Sequence, residues 1–280
     1  MSSGKAIRRR LTSVKSTQKI TKAMNMVAAS RLQKNKTNLI TARDFFIQTT
    51  KIINRFKNRE DISENIFLNP EKINSTAYLV ITSDRGLCGG YNTNVMEKAL
   101  CHMNEGKNEK IIAIGLKGYD YFSKQGKNIM SRYDDMLESD FCEESEHIKS
   151  LLLELYTSGE IDEIYIAYTK FESVLTHVPC VKKILPIESD SEDSNQADYM
   201  KYEPEVTFFL DYAISMYVSA FIHTALLESF ACEQAARMLS MDTAVNNASD
   251  ILEKLTHSYN RSRQAAITQE ISEVISNRRG

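Results

Sequence analysis

The chain has 280 residues, of which 42% are hydrophobic and 26% are charged, an ordinary globular composition with enough length for a sizeable core. Its cysteine count is odd, with five cysteines and no C-x-x-C pair, which excludes a disulfide framework and a cysteine-rich metal site. The net charge is −2, but residues 1–43 hold eleven Lys and Arg and no acidic residue, so the rest of the chain sums to −13. The positive charge is therefore concentrated at the N-terminus.

The N-terminal segment predicts one long helix, because residues 5–69 contain no Gly or Pro. About fifty residues would span roughly 75 Å, far beyond an ordinary helix, so the length favours a coiled-coil partner. A seam would be thin where Gln18, Thr21 and Asn25 occur. Apolar side chains at helical spacing are Ile7, Leu11, Val14, Ile20, Met24, Val27, Ala28, Leu32, Leu39, Ala42, Phe46 and Ile53.

The central segment alternates between strand and helix patterns, which predicts a mostly parallel α/β sheet. An acidic, polar stretch, residues 188–204, follows it and is predicted to be a linker. The predicted strands are residues 76–84, 110–118, 128–134 and 162–171, with a possible last strand in "HVPCVKKILPI", and the predicted helices are residues 92–103, 119–125 and 143–156.

The C-terminal segment predicts a second long helix, which Pro204 could open and in which no further Gly or Pro occurs before Gly280. Steps of four and three run from Leu227 to Ala266, which favours a left-handed coiled coil over an amphipathic helix packed on a domain. A chain that leaves, folds a domain and returns can pack its two ends antiparallel. The predicted domains are 1–58 (helix), 75–187 (α/β domain), 188–204 (linker) and 205–280 (helix).

A membrane span is not expected. The most apolar stretch, Tyr212 to Leu227, has 16 residues, whereas a span needs about 20. The N-terminus has no apolar signal region. Its Arg-rich, acid-poor composition also fits a transit peptide, but the basic stretch continues without a break into the predicted helix.

The segment "ITSDRGLCGGYN", residues 81–92, follows a predicted strand and precedes a helix, so its glycines Gly86, Gly89 and Gly90 are compatible with a phosphate-binding turn. Its spacing matches neither the dinucleotide fingerprint nor the P-loop. We therefore favour a structural turn and expect no nucleotide there, while a nucleotide-binding α/β enzyme stays an alternative.

No catalytic residues, metal site or cofactor are predicted. No two of the five histidines lie three or four residues apart, as a helix-borne zinc pair requires, and no G-x-S-x-G motif occurs. The basic helix leaves three kinds of partner open: nucleic-acid phosphates, an anionic membrane surface or an acidic protein surface. Small side chains among its lysines suit close passage inside a protein cavity.

Three blocks resemble the signature blocks of the ATP synthase gamma subunit family, in that family's order and spacing. They are "STQKITKAMNMVAASRL" (16–32), "ITSDRGLCGGYN" (81–92) and "AARMLSMDTAVNNASDILEKLTHSYNRSRQAAITQEISEV" (235–274). The resemblance covers essentially the whole chain. It implies an α/β fold class, with a long antiparallel coiled coil of the terminal helices and a central Rossmann-like, mostly parallel domain.

The resemblance also implies a mechanism. The helices would form the central rotor shaft inside a ring of three alpha and three beta subunits, and the α/β domain would sit with the epsilon subunit on the membrane c ring. The shaft would couple ion flow to ATP synthesis or hydrolysis at the beta-subunit sites without chemistry of its own. The absence of a plastid-type cysteine insertion and of a long presequence implies a peripheral protein at the cytoplasmic face of a bacterial membrane. Nucleic-acid binding by a basic coiled coil is the alternative.

By the same resemblance, rotor–stator contacts are expected on both long helices, and the foot of the shaft, near the c ring and the epsilon subunit, is expected at Tyr202 and Glu203. The coupling ion, H⁺ or Na⁺, is not encoded in these residues. The expected rotor–stator contact residues are Lys15, Lys19, Lys22, Met24, Arg31, Arg263 and Gln264.

Overall fold

A computed structural model describes residues 2–56, 65–68, 73–103, 108–187 and 206–277. Along the chain, one long helix precedes an α/β region and another follows it, as the sequence predicts. The helices are α1 (Ser2–Phe56), α2 (Tyr91–His102), α3 (Leu116–Lys124), α4 (Phe141–Thr157) and α5 (Val206–Asn277), and the strands are β1 (Ser75–Ile81), β2 (Asn108–Ile114), β3 (Ile129–Tyr133), β4 (Glu163–Phe171) and β5 (His177–Leu185).

The five strands form one mixed sheet in the order β3-β2-β1-β4-β5. All neighbours are parallel except β4 and β5, which pair antiparallel as a hairpin. The possible last strand is therefore real. The chain moves from β1 outward to β3 and then returns to place β4 on the other side of β1. This change of direction makes the carboxyl ends of β1 and β4 the topological switch point.

Helices cover both faces of the sheet, which explains why every residue of β1 is buried. On one face, Val80 and Ala113 pack with Val95 of α2 and Phe122 of α3. The opposite face packs against α4 and parts of α1 and α5. Its buried members include Leu79, Ile112, Ile166, Leu152, Leu39 and Phe221.

The structure divides into two compact units, one formed by Met1–Ser30 with Arg237–Gly280 and the other by Arg31–Ala236. The described residues of the first unit belong to α1 and α5. As the residue number rises along α1, the number of its contact on α5 falls, so the two helices run antiparallel. A side chain added at Gly4 would meet Ser262 Oγ at 3.5 Å, Gln18 donates to Ser249 Oγ at 2.8 Å, and Asn25 donates to the Met238 carbonyl at 2.9 Å.

Within the second unit, the same two helices are also antiparallel. Asn35 donates to the Leu227 carbonyl at 3.0 Å, and Thr224 donates to the Ala42 carbonyl at 3.2 Å. Here both helices also contribute to the core beneath the sheet, so they pack on each other and on the α/β region together. The predicted antiparallel pairing is confirmed.

The inner face of α1 differs from the predicted apolar stripe at two positions. Ile20 and Val27 are 61% and 53% exposed, so placing them in the stripe was wrong. Gln18, Thr21 and Asn25 are the less exposed residues instead. The less exposed positions of α1 follow one another at steps of three and four residues, and the polar residues Gln18, Thr21 and Asn25 fall on these steps. Such steps average 3.5 residues, the spacing that keeps one face of a helix toward its partner in a coiled coil.

On α5 the predicted four-three steps match the observed burial closely. From Leu227 to Ser262 every predicted seam position is buried or half-buried, and only Ala266, the last, is exposed. Gln234 is 2% exposed although it is polar.

Candidate functional site

The structure presents the predicted contact residues on the surface of the two long helices. Lys15, Lys19 and Lys22 are exposed, and their spacing of four and three residues aligns them in one row along α1. In these positions the long side chains reach solvent, where ion pairs are weak and exchangeable.

Met24 and Arg31 belong to a second row, because they lie seven residues apart. Met24 is half-buried and Arg31 is exposed. Ile20 and Val27 occur at the matching helical positions, so this row is partly apolar while the lysine row is charged. Ile20 and Val27 had been predicted on the seam, so their exposure in this row was not predicted from the sequence.

Arg263 and Gln264 are both exposed on α5. The expected foot residues Tyr202 and Glu203 lie outside the described residues, as does the predicted linker.

The loop between β1 and α2 supplies hydrogen-bond acceptors to the N-terminus of α3, at the edge of the sheet where β1 and β2 end. The first backbone N–H groups of α3 are the natural anion donors at this edge of the sheet. Leu116 donates its N–H to Asp84 Oδ1 at 2.9 Å, and Gly118 donates to Thr82 Oγ1 at 2.9 Å. The other carboxylate oxygen, Asp84 Oδ2, accepts from the backbone of Asp135 at 3.1 Å. A carboxylate of the chain itself thus occupies the anion position.

The switch-point crevice between β1 and β4 is filled by α5. Cys232 of α5 packs with Cys88 of the loop after β1 and with Tyr91, the first residue of α2, and Phe171 of β4 packs against them. Burial raises the pKa of the Cys232 thiol and of the Tyr91 hydroxyl well above their ordinary values, so both stay protonated and neutral. In doubly wound sheets this crevice is the usual ligand site; here it is part of the core.

The helices also bond to the end of β4. The register between β1 and β4 ends at Val80 and Ala167, so β4 continues beyond its neighbour. Thr169 donates its N–H to Ser229 Oγ at 3.5 Å, and Cys232 Sγ donates to the Thr169 carbonyl at 3.4 Å. Side chains of α5 thus bond the backbone of β4 where β1 has ended.

Arg43 of α1 completes this junction. Its Nε lies 2.7 Å from Glu228 Oε1, and its guanidinium also donates to the Phe171 carbonyl. The Glu228 side chain is only 6% exposed, and Oε2 has no hydrogen-bond partner among the described residues. One signal was available in the sequence, since Glu228 directly follows the apolar stretch Tyr212 to Leu227, and a carboxylate buried beside such a stretch requires a partner.

Among the described residues, one helix is long and apolar enough to cross a membrane, a stretch of α5 between Phe209 and Ser272, and 67% of its most apolar window is buried. A helix inside a protein core has the same composition, so length and hydropathy are weak indicators here. No cluster of His, Cys, Asp or Glu suited to a metal ion occurs in the described ranges.

The fold defines the class of protein: a Rossmann-like α/β domain with two long antiparallel terminal helices. One of these helices packs at the switch point, where related sheets bind a ligand. The fold of a rotor chain from Euglena gracilis mitochondrial ATP synthase is similar, with a TM-score of 0.67 and 18% identity over 95% of this chain and 99% of that one. At that identity the likeness concerns the fold alone.

Sequence relatives are much more similar. A family model described as ATP synthase matches residues 3–278. An ATP synthase gamma chain of Desulforamulus reducens is 38% identical over 98% of both chains, and a sodium-ion-specific gamma chain of Acetobacterium woodii is 36% identical over 96% of this chain and 95% of that one. The chain belongs to the ATP synthase gamma chain family.

Proposed function

We propose that this chain is the central rotor shaft of an F-type ATP synthase and that it performs no chemistry of its own. The carrying observation is the antiparallel pairing of α1 and α5, with contacts from Gly4 and Ser262 to Asn25 and Met238 in the unit that contains only these helices. A closed crevice at the switch point supports the absence of a nucleotide site. Family membership supports the shaft over a nucleic-acid-binding coiled coil.

The shaft acts by its orientation. Its surface is unequal around the helix axis, with a lysine row at Lys15, Lys19 and Lys22 and a partly apolar row containing Met24 and Arg31. When such a shaft turns, each surrounding beta subunit meets a different row, so the three catalytic sites are held in different states. Exposed ion pairs contribute only about 0–1 kcal/mol each, so contacts can be exchanged between three positions without locking the rotor. Arg263 and Gln264 supply the corresponding contacts from α5.

The partners are the alpha and beta subunits around the helix pair, and the epsilon subunit and membrane c ring at the α/β domain, with Tyr202 and Glu203 at the foot. The chain works at the cytoplasmic face of a bacterial plasma membrane as a peripheral subunit. Its functional division follows residues 1–58 and 205–280 for the shaft, 75–187 for the α/β domain and 188–204 for the linker. Both H⁺ and Na⁺ stay open as the coupling ion, since a sodium-specific relative belongs to the same family.

Affinity purification of the tagged chain from its own cells tests this proposal. We expect alpha, beta and epsilon subunits in stoichiometric amounts, together with ATPase activity, and no dependence of the recovered complex on nucleic acid. Purification of the chain without alpha and beta subunits, or with nucleic acid that is released by salt, would contradict it.

A further inference from the structure

The junction between the long helices and the end of β4 is a mechanical element with defined residues. We call it the β4 socket: Arg43 on α1, Glu228, Ser229 and Cys232 on α5, and Thr169 and Phe171 on β4. Resting on the proposed function, we propose that the β4 socket is the connection through which torque passes between the α/β domain and the helix pair, with Arg43 as the positioning residue.

A torque connection must resist sliding along the helix axis and rotation about it. Apolar packing resists separation but has no preferred direction, whereas hydrogen bonds fix both distance and angle. Among the described elements, β4 is the strand whose backbone receives side-chain bonds from both long helices. Ser229 and Cys232 fix the N–H and the carbonyl of Thr169, and Arg43 fixes the carbonyl of Phe171.

Arg43 joins three elements at once. Its guanidinium binds the carboxylate of Glu228 on α5 and the backbone of β4, while its own backbone belongs to α1. A planar guanidinium holds two acceptors in fixed directions, which a lysine cannot do. Because Glu228 is almost fully buried while Arg43 is one-third exposed, this ion pair is screened less than a pair on the surface.

The position in the fold supports the same role. The socket lies at the switch point, where Cys88 of the loop after β1 and Tyr91 at the start of α2 also pack on Cys232. The carboxyl ends of the neighbouring parallel strands β1 and β4 therefore lie against the same segment of α5. The crevice that binds a ligand in related sheets binds the shaft in this one.

A matched pair of double variants tests the proposal in the reconstituted complex. Arg43→Met with Glu228→Met removes the ion pair of the socket without leaving a buried charge. Lys127→Met with Glu109→Met removes a control pair that lies in the same compact unit but touches neither long helix. The two pairs have similar separations, 2.7 and 3.1 Å, and similar exposures, 34% and 6% against 27% and 7%, and in each the second carboxylate oxygen has no partner among the described residues.

The measured quantity is ion uptake per ATP hydrolysed by the complete complex in membrane vesicles, together with hydrolysis by uncoupled vesicles. We expect the socket variant to lower ion uptake per ATP at least twofold while hydrolysis in uncoupled vesicles changes less than twofold. The control variant should keep the wild-type ratio. A wild-type ratio in the socket variant, or equal losses in both variants, would overturn the proposal.

A second variant covers failure of the first to assemble. Ser229→Ala with Cys232→Ala removes both bonds to Thr169 but adds no bulk or charge, and it should also lower ion uptake per ATP. If this variant assembles with a wild-type ratio, the torque role is refuted. Failure of the wild-type chain to assemble with alpha and beta subunits would instead contradict the proposed function, which separates the two failures.

Discussion

At the scale of single residues, Arg43 and Glu228 form the ion pair that joins α1 and α5 in the β4 socket. Breaking a buried pair by removing one partner costs about 3–5 kcal/mol, because the remaining charge stays buried without compensation. Replacing both partners with apolar residues of similar volume costs far less. The pair therefore fixes geometry more than it adds net stability.

We expect Arg43→Met alone to lower the free energy of unfolding by at most about 3–5 kcal/mol, since Glu228 loses its partner in a site that is open to water on the Arg43 side. The double variant Arg43→Met with Glu228→Met should recover most of that loss. Denaturant unfolding of the purified chain, monitored by circular dichroism, measures both. Equal losses in the single and double variants would show that Glu228 is not the cause.

Met24 is the residue at which an added charge should disturb rotation. Met24→Lys places a cation on the partly apolar row, where a partner carboxylate could form a charge-assisted bond of about 1.5–3 kcal/mol in one orientation. That depth is comparable with the roughly 2.3 kcal/mol that one ion supplies per 100 mV. The complex should assemble but pump fewer ions per ATP.

Vesicles carrying Met24→Lys are compared with Met26→Lys, which adds the same charge to an exposed position of the same helix. The control should retain more of the wild-type ratio of ions pumped to ATP hydrolysed. Unchanged pumping per ATP in Met24→Lys would refute the prediction, and so would failure of its subunits to assemble.

At the scale of elements, the α1–α5 seam carries amides where a purely apolar stripe would be simpler. Gln18, Asn25 and Asn35 each donate a hydrogen bond to α5. A polar group buried in a coiled-coil seam stabilises one register, because every other register leaves it without a partner. Asn35, which is fully buried, therefore favours one alignment of the two helices, and the half-buried Gln18 and Asn25 add hydrogen bonds to the same alignment.

Asn35→Ala should lower the free energy of unfolding by about 1–2 kcal/mol, because a fully buried donor to the Leu227 carbonyl is lost. Asn38→Ala is the matched control, with the same residue type exposed three positions later on α1. It should stay within about 0.5 kcal/mol of wild type. Thermal or denaturant unfolding distinguishes the two, and equal effects would contradict the assigned hydrogen bond.

The turn from β2 into α3 depends on Gly115, which has a φ of +88°, and a Cβ there would lie 2.3 Å from the Thr82 carbonyl oxygen. We expect Gly115→Ala to disrupt the loop after β1 and to cost more than 3 kcal/mol, since backbone must move as well as adopt a strained conformation. Gly126→Ala, with a φ of +68° but nothing within 4 Å, should cost only about 1–2 kcal/mol. Unfolding of the two variants, compared side by side, measures the difference.

At the scale of the whole molecule, α5 packs at the switch point of the α/β domain, where related sheets bind a ligand. Asp84 accepts the first backbone N–H of α3, and Cys232 packs against Cys88 and Tyr91 beyond the end of β1. We therefore expect the isolated chain to bind no ATP in calorimetric titrations at millimolar nucleotide. Stoichiometric binding that Gly89→Val abolishes would show that the loop holds a nucleotide after all.

The sequence by itself determined the helix pair and the strand–helix alternation. These signals are local: a Gly- and Pro-free run with steady 3.5-residue spacing from Leu227 onward predicts its own structure. The prediction from sequence was wrong in α1 at Ile20 and Val27, which are exposed while polar residues face α5. Apolar spacing did not predict this, because amide hydrogen bonds can hold a seam as well as apolar contacts do.

Only the tertiary structure decided what fills the crevice and which residues join the sheet to the shaft. Arg43 lies 128 positions before Phe171 and 185 positions before Glu228 along the chain, yet it contacts both. No spacing rule connects residues that distant, since their meeting depends on the strand order that places β4 beside β1 and on the return of α5 along α1. The physical reason is that burial and hydrogen bonding between distant segments depend on the tertiary arrangement, which local periodicity does not specify.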